Sequence, residues 1–212
     1  MTQSPEHSEA SPTPASPVGD DVARTRSELI FAEVEGDVSA LTLALTDDDA
    51  SVRSLALGAL GRIDELDEHQ LTTALSDDHR DVRCRAVELA VTRRDIPLVP
   101  LLADDDDLVV ETAAWGLGER EDPDPDVIEA LVAIGISHDV SICREAAIAA
   151  LGAIGDEAGL PAILHGLDDR APVRRRAVLA LAPFDTPEVS EALERATQDR
   201  DRQVRQAAED LL

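Results

Sequence analysis

The residues that could carry chemistry in this chain are few and form no known catalytic motif. The run Asp104–Asp107 supplies carboxylate oxygens, which divalent cations prefer as ligands. It lacks the spaced pattern of a calcium loop, so we expect it to be a solvated helix cap. The sequence contains no GxSxG motif, no phosphate-binding loop and no HExxH motif. We therefore predict no catalytic residue, and we favour a protein that is not an enzyme.

Metal and cofactor binding are not predicted either, because the soft ligands are dispersed along the chain. Cys84 and Cys143 lie far apart in sequence, outside any Cys-x-x-Cys motif or His/Cys cluster that would indicate zinc. The histidines are equally scattered: His7, His69, His79, His138 and His165. We expect no metal and no cofactor.

The chain is strongly acidic, with a net charge of −26 from 45 acidic and 19 basic residues. Such a charge repels polyanions, so we expect no binding to nucleic acid or to an anionic membrane surface. A protein partner with a basic surface fits the charge better. The alternative is that the proteins of the source organism are acidic in general, so that the charge has no specific function. The one basic cluster, Arg174–Arg176, is interpreted as part of an internal network of ion pairs.

These side chains are positioned by a pattern that recurs about every thirty residues, which is typical of a repeat array. In its fullest copy, residues 46–63, an Asp cluster precedes a Val-Arg pair. We anchor each copy on the residue equivalent to Val52, and the fourth residue after every anchor is Ala. The anchors are Val52, Val82, Val109, Cys143, Val173 and Val204, and the alanines are Ala56, Ala86, Ala113, Ala147, Ala177 and Ala208.

Each copy predicts two helices. The second begins at the Asp cluster, and its apolar residues recur at spacings of three and four, as on one face of an α-helix. The shorter first helix carries apolar residues eleven and seven positions before the anchor, such as Val132 and Ile136. Glycines near the ends of the second helices, Gly61, Gly118, Gly152 and Gly155, predict left-handed C-terminal turns.

Three segments follow from this pattern. Residues 1–20, rich in Ser, Pro and acidic residues, predict a disordered tail. Residues 21–36 predict a capping helix that carries Leu29, Ile30, Phe31 and Val34, and residues 37–212 form the repeat array. No segment resembles a signal peptide or a membrane span, so we expect a cytoplasmic protein that contacts no membrane.

Paired helices with a mid-repeat Asp and a Val-Arg pair resemble HEAT repeats, and the short period is similar to the HEAT-like repeats of phycobilisome lyases. The resemblance implies an all-α fold, a right-handed superhelical α-solenoid of about five to six HEAT-like repeats. It also implies a structural ladder of Asp and Arg between neighbouring repeats. The ladder residues would be Asp47, Arg53, Asp77, Arg83, Asp168, Arg174, Asp199 and Arg205.

The ladder pattern fails at two positions near the middle of the chain. His138 stands where the pattern has Asp, and Val110 stands where it has Arg. The interruption predicts a bend or a binding point between the third and fourth repeats; ordinary sequence drift is the alternative.

HEAT-like solenoids bind partners through a concave surface lined by their second helices. Residues of these helices that lie off the Ala/Leu face are therefore our candidates for partner binding. Trp115, the only Trp, is either an exposed binding residue, as Trp often is at interfaces, or a filler between repeats. The candidates are Arg85, Glu88, Glu111, Trp115, Glu145, Arg175 and Arg176.

These observations favour a non-catalytic scaffold or adaptor that binds a protein partner. The second hypothesis is a lyase or chaperone-like enzyme acting on a protein-bound group, as the resemblance to the HEAT-like phycobilin lyases implies. A third is an acidic mimic of nucleic acid, which would need its carboxylates on one face rather than at every helix start. The sequence leaves the identity of the partner and the oligomeric state open.

Overall fold

The computed structural model of the protein describes residues 17–121 and 123–212, with side-chain environments from Thr25 onward. Within these ranges the chain forms α-helices and two short 3-10 helices, without a strand. Helix α1 spans Pro17–Glu35, and six helix pairs, numbered repeats 1 to 6, follow it. The predicted all-α solenoid is therefore confirmed. None of the described helices has the length and apolar character needed to cross a membrane.

Each repeat places a longer second helix after a shorter first segment. A further 3-10 helix, Glu157–Gly159, leads into the fifth repeat. The pairs are α2 (Val38–Ala44) with α3 (Ala50–Arg62), α4 (Glu68–Ala74) with α5 (Arg80–Ala90), the 3-10 helix Val99–Ala103 with α6 (Asp107–Gly118), α7 (Pro125–Ser137) with α8 (Ser141–Ile154), α9 (Leu160–Gly166) with α10 (Ala171–Ala180), and α11 (Pro187–Ala196) with α12 (Arg202–Glu209).

Small residues form the core where neighbouring second helices meet. All six alanines at the fourth position after the anchor are fully buried, and the anchors themselves are buried as well. Because Ala adds little bulk, helix axes can approach closely there. The recurring Ala is thus the residue that sets the spacing of the array.

Two glycines that the sequence assigned to C-terminal turns serve this close approach instead. Gly118 and Gly152 lie within α6 and α8, and the φ angles of both are ordinary for a helix. A Cβ atom on Gly152 would lie 2.7 Å from the Cα of Ala180, and one on Gly118 would lie 2.7 Å from the Cα of Ala150. The turn prediction was wrong for these two residues, because a crossing helix occupies the space of their missing side chains. It was also wrong for Gly61, which lies within α3 and has no positive φ. Gly155, with φ of +71°, does end α8 in a left-handed turn.

The N-terminal capping helix differs from its prediction in extent and in orientation. Helix α1 already includes residues 17–20, which the sequence assigned to the tail, and residues 1–16 of that predicted tail lie outside the described residues. Leu29 is buried against the array, whereas Ile30, Phe31 and Val34 are exposed. One helical face can cover the end of the array, and three of the four apolar residues lie off that face.

The first helix of repeat 4 is one position out of the predicted register. Leu131 and Gly135 are buried, whereas Ile136 is 42% exposed and Val132 is only half-buried. Helix α7 begins with Pro125 and keeps its own spacing of three and four through Ile128, so the distance from the anchor is not constant between repeats.

Repeat 3 has the shortest first segment. Pro97 and Pro100 lack the N–H group that an α-helix interior requires, and only a 3-10 helix forms there. Arg120, which the sequence did not single out, ties the end of α5 and the loop before this segment to the end of α6. Its Nη2 donates hydrogen bonds, 2.8–3.1 Å long, to the backbone oxygens of Ala90, Arg93 and Ile96.

The Asp clusters are used locally at the starts of the second helices. In repeat 1, Asp47 Oδ1 accepts the backbone N–H of Asp49 at 2.8 Å, and Asp49 Oδ1 accepts that of Ser51 at 2.7 Å. Asp104 and Asp106 repeat this arrangement in the four-Asp run. These bonds satisfy N–H groups that a helix start leaves free. The acidic clusters therefore specify where each second helix begins.

A ladder of Arg–Asp ion pairs joins neighbouring repeats. Arg53, which follows the first anchor, donates from Nε and Nη2 to both carboxylate oxygens of Asp77 in the next repeat, at 2.8 and 2.6 Å. Its Nη1 donates to the backbone oxygen of Asp47 in its own repeat at 2.8 Å. Each such Arg therefore fixes both a helix start and a repeat junction. The four pairs are Arg53–Asp77, Arg83–Asp104, Arg144–Asp169 and Arg174–Asp199.

The observed ladder includes Asp104 and Arg144, which the prediction left out, and it corrects one predicted residue. Asp169, not Asp168, pairs with the preceding repeat, because Asp169 Oδ1 accepts the backbone N–H of Arg170, the residue three before its anchor. In repeat 1 the Asp five positions before the anchor makes the equivalent bond. At the C-terminal end, Arg205 bonds within its own repeat, to the backbone oxygens of Asp199 and Arg200.

We predict that Gly152→Ala destabilises the array, because the new Cβ atom would meet the backbone of Ala180. Overpacking of this kind costs about 1–3 kcal/mol. Gly135→Ala is the matched control, since its Cβ would find its nearest neighbour, Ile148 Cγ1, at an ordinary 3.5 Å. Ala is the better helix former by about 1 kcal/mol, so this control should gain stability. Chemical unfolding of both variants measures the difference, and an equal response would refute close packing at Gly152.

The ladder predicts a specific acid sensitivity. Hydrogen bonds from Arg144 hold the pKa of Asp169 below its ordinary value of 3.8. A lowered pKa in the folded state means that the ion pair stabilises the protein above that ordinary value and that this stability is lost as the pH falls below it. Asp169→Asn should therefore cost about 1–2 kcal/mol near neutral pH and progressively less in acid.

Asp168→Asn is the control for this experiment, because Asp168 is exposed and lies one residue away from the ladder. Thermal unfolding of wild type and both variants across the acid range gives the comparison. A cost for Asp169→Asn that does not shrink with falling pH would contradict a role for its charge.

Candidate functional site

The junction between repeats 3 and 4 has no ladder pair among the described residues. The two positions at which the sequence departs from the ladder pattern, 110 and 138, are the positions of the Arg and the Asp of that missing pair. An Arg at position 110 would face an Asp at position 138. The chain instead has Val110, which is fully buried, and His138, which is half-buried. His138 still makes the hydrogen bond that the ladder Asp makes at the helix start, since its Nδ1 accepts the backbone N–H of Val140 at 3.2 Å. It forms no ladder pair with any described residue of repeat 3. The two substitutions therefore remove a single Arg–Asp pair, the one between repeats 3 and 4.

A cluster of three potential metal ligands lies at this junction. One ligand atom from each of Asp107, His138 and Cys143 lies within 4.8 Å of the others. Cys143 is the fully buried anchor of repeat 4, where every other repeat has Val. Its thiol donates to the backbone oxygen of Asp107, with the sulfur at 3.4 Å, and lies 3.9 Å from that residue's Oδ1.

The chemistry of the Cys143 thiol follows from this burial. Burial raises its pKa to about 11, and the carboxylates of Asp107 and Glu111 add to the effect. The thiol is therefore protonated at neutral pH, unlike the thiolate of a nucleophilic cysteine.

A groove crosses the second helices of repeats 2 to 5, centred on Trp115. The Trp115 side chain is 46% exposed, and two further apolar residues of the groove, Leu108 and Ile142, are 40% and 46% exposed. Helix α8, which carries Ile142, also lines the groove with Ala146, Ala149, Ala150 and Ala153. Their small side chains leave room beside the large apolar ones.

Carboxylates surround this apolar strip. Arg176 is 3.6 Å from Glu145, and Arg85 is 2.7 Å from Glu88, so two of the groove's acids have basic partners. Glu111 forms no ion pair with any described residue. Burial and the neighbouring Glu145 raise its pKa, so a cationic group placed beside it would be electrostatically favoured.

The structure brings together most of the residues that the sequence proposed for partner binding. Arg85 borders the groove through its pair with Glu88, and Arg175 is exposed but does not line the groove. The predicted residues that line it are Glu88, Glu111, Trp115, Glu145 and Arg176.

Sequence reasoning missed Leu108 and Ile142. Both stand directly before an anchor, off the buried Ala/Leu face. The same position is polar or Pro in the other repeats: Ser51, Asp81, Pro172 and Gln203. An apolar residue at this position in only two adjacent copies was the signal that could have identified the groove.

Comparisons with known structures agree with the fold. The crystal structure of an engineered protein aligns with a TM-score of 0.56 and 20% identity, over 83% of this chain and 95% of the other. A designed armadillo repeat protein aligns with a TM-score of 0.53 and 20% identity, over 81% of this chain and 97% of the other. At this identity the likeness concerns the fold alone.

Comparison with sequence families gives the more specific result. No curated protein sequence matches the chain significantly. The family profile for HEAT repeats matches three overlapping stretches, residues 68–152, 95–182 and 137–212, which together span more than half of the chain. With helix pairs and buried Ala repeating in all six units, the protein belongs to the HEAT-repeat family.

Proposed function

We propose that the protein is a non-catalytic scaffold whose groove binds an extended segment of a partner protein carrying basic and apolar side chains. The observation that carries this proposal is the exposed apolar strip formed by Leu108, Trp115 and Ile142. Contiguous apolar surface of this kind, rimmed by charged residues, is typical of binding sites.

Charge complementarity supports a basic occupant. The groove contains Glu88, Glu111, Glu119 and Glu145 against the single basic residue Arg176, and the whole chain carries a net charge of −26. Unpaired Glu111 lies on α6 one helical turn before Trp115, so one occupant can contact both. An apolar side chain beside Trp115 and a basic group beside Glu111 would use both features of the groove.

An intrinsic probe makes the proposal testable, because Trp115 is the only Trp and the chain has no Tyr. A short peptide of alternating Arg and Leu should produce a saturable change in Trp fluorescence. Peptides with Glu in place of Arg, or Ser in place of Leu, should bind more weakly. Equal responses to all three peptides would exclude selective recognition by the groove.

Matched variants locate the binding. Ile142→Ser should weaken the Arg/Leu peptide about tenfold, because it removes part of the apolar strip. Ile136→Ser is the control, since Ile136 has similar exposure but lies on α7 outside the groove. Glu111→Gln, compared with Glu129→Gln on α7, tests the charge in the same way, and its effect should shrink at high salt. Controls that weaken binding as much as the groove variants would contradict this location.

Trp115→Ala separates a binding residue from a filler between repeats. With nearly half of the side chain exposed, the substitution should lower the melting temperature by only a few degrees, equivalent to about 1–2 kcal/mol. It should also remove the partner that the wild-type protein retains at high salt in a pull-down from source-cell lysate. A large loss of melting temperature with unchanged capture would assign Trp115 a packing role instead.

A further inference from the structure

We propose that Asp107, His138 and Cys143 bind one divalent metal ion of the zinc class at the junction of repeats 3 and 4. The sequence predicted no metal because these residues are separated along the chain: Asp107 belongs to one repeat, and His138 and Cys143 belong to the next. Only the stacking of the repeats brings them together, within 4.8 Å.

Three departures from the repeat pattern meet at this junction. Elsewhere the anchor is Val, but here it is Cys143. The ladder Asp is replaced by His138, and the ladder Arg by Val110, so no guanidinium of repeat 3 reaches across to repeat 4. The Arg at position 110 is lost, and the nearby guanidinium of Arg144, which donates to the backbone oxygen of His138, has its charge balanced by Asp169. Cys143 and His138, which replace the usual Val and Asp, are both residues that can bind a metal.

The three side chains form a ligand set that suits a metal of the zinc class. One sulfur, one imidazole nitrogen and one carboxylate oxygen suit a borderline-soft ion such as Zn²⁺, and three protein ligands leave a fourth position for water. In tetrahedral coordination the ligand atoms lie about 3.5 Å apart, given bonds of about 2.0–2.3 Å. Closing from 4.8 Å needs only small side-chain movements, and exposed Asp107 with half-buried His138 leaves an entry path.

Binding requires a defined exchange of protons and hydrogen bonds. A neutral imidazole has one lone pair, which in His138 now accepts the backbone N–H of Val140. The ion takes this lone pair and releases that N–H group. The thiol of Cys143 becomes a thiolate, its proton passes to solvent, and thiolate and carboxylate together balance the two charges of the ion.

The consequence is a metal bridge in place of the missing ladder pair. Asp107 would hold the ion from repeat 3, and His138 and Cys143 from repeat 4. An ion bound only in the folded state stabilises it by mass action, so the melting temperature should rise with metal concentration. This inference does not depend on partner binding in the groove.

Co²⁺ is the probe, because a cobalt–thiolate bond gives a charge-transfer absorption that carboxylate ligands do not give. Full-length protein, kept reduced with a non-thiol reductant, should develop this absorption with one equivalent of Co²⁺ and lose it when Zn²⁺ is added. Absence of the absorption in folded wild-type protein would overturn the proposal, since weak cation binding to the acidic surface involves no sulfur.

The variants use residues that other repeats already carry at the same positions, which favours folding. Cys143→Val should abolish the absorption, and His138→Asp should weaken Co²⁺ binding by more than about tenfold. The controls are Cys84→Ser and His79→Asp, since Cys84 is the other thiol and His79 also caps a helix through Nδ1. An absorption that survives Cys143→Val, or that Cys84→Ser reduces equally, would refute this site; circular dichroism verifies that each variant is folded.

Discussion

The structure depends on one steric constraint, the close crossing of second helices in successive repeats. Fully buried Ala stands at the same position in all six copies, and Gly118 and Gly152 occupy crossings where even a Cβ atom would meet backbone. Layers this thin bury small side chains rather than large ones, so each junction gains limited apolar area. The bidentate Arg–Asp pairs, with side chains only 6–16% exposed, add directional bonds at the same junctions. Packing sets the distance between repeats, and the ladder fixes their register.

The acidity of the chain has a local explanation in part. In repeats 2, 3, 5 and 6 one carboxylate of the Asp cluster accepts a backbone N–H group at the helix start and also receives the Arg of the preceding repeat, as Asp104 does from Arg83. These carboxylates are distributed along the ladder edge of the array and are engaged with its own backbone. The acids of the groove are different, because Glu111 caps no helix and pairs with no described base. The carboxylates that remain available to a partner therefore include those of the groove, whereas many of the others are engaged within the array.

The sequence predicted what depends on the period and failed where one copy departs from it. Repeat number, the buried Ala and the Arg–Asp chemistry follow from features shared by the copies. The pairing of Asp169 instead of Asp168, and the burial of Leu131 instead of Val132, reflect shifts of one residue that a fixed spacing cannot represent. Gly152 was misassigned because a glycine needed for a close crossing and one needed for a left-handed turn look alike in sequence. The cluster of Asp107, His138 and Cys143 could not be predicted from the sequence, because these residues come together only when repeats 3 and 4 stack.

Stacking alone needs only the same few pattern residues in every repeat. Repeats 3 and 4 depart from this pattern at several positions that lie close together. Repeats 3 and 4 carry the two apolar residues that precede an anchor, Leu108 and Ile142, and both line the groove. Each is adjacent in sequence to a member of the metal-ligand cluster, Asp107 or Cys143. Val110 and His138 also stand at the two sides of the one junction between described repeats that has no ladder pair. Both proposals made for this protein, the partner groove and the metal site, therefore concern the same two repeats.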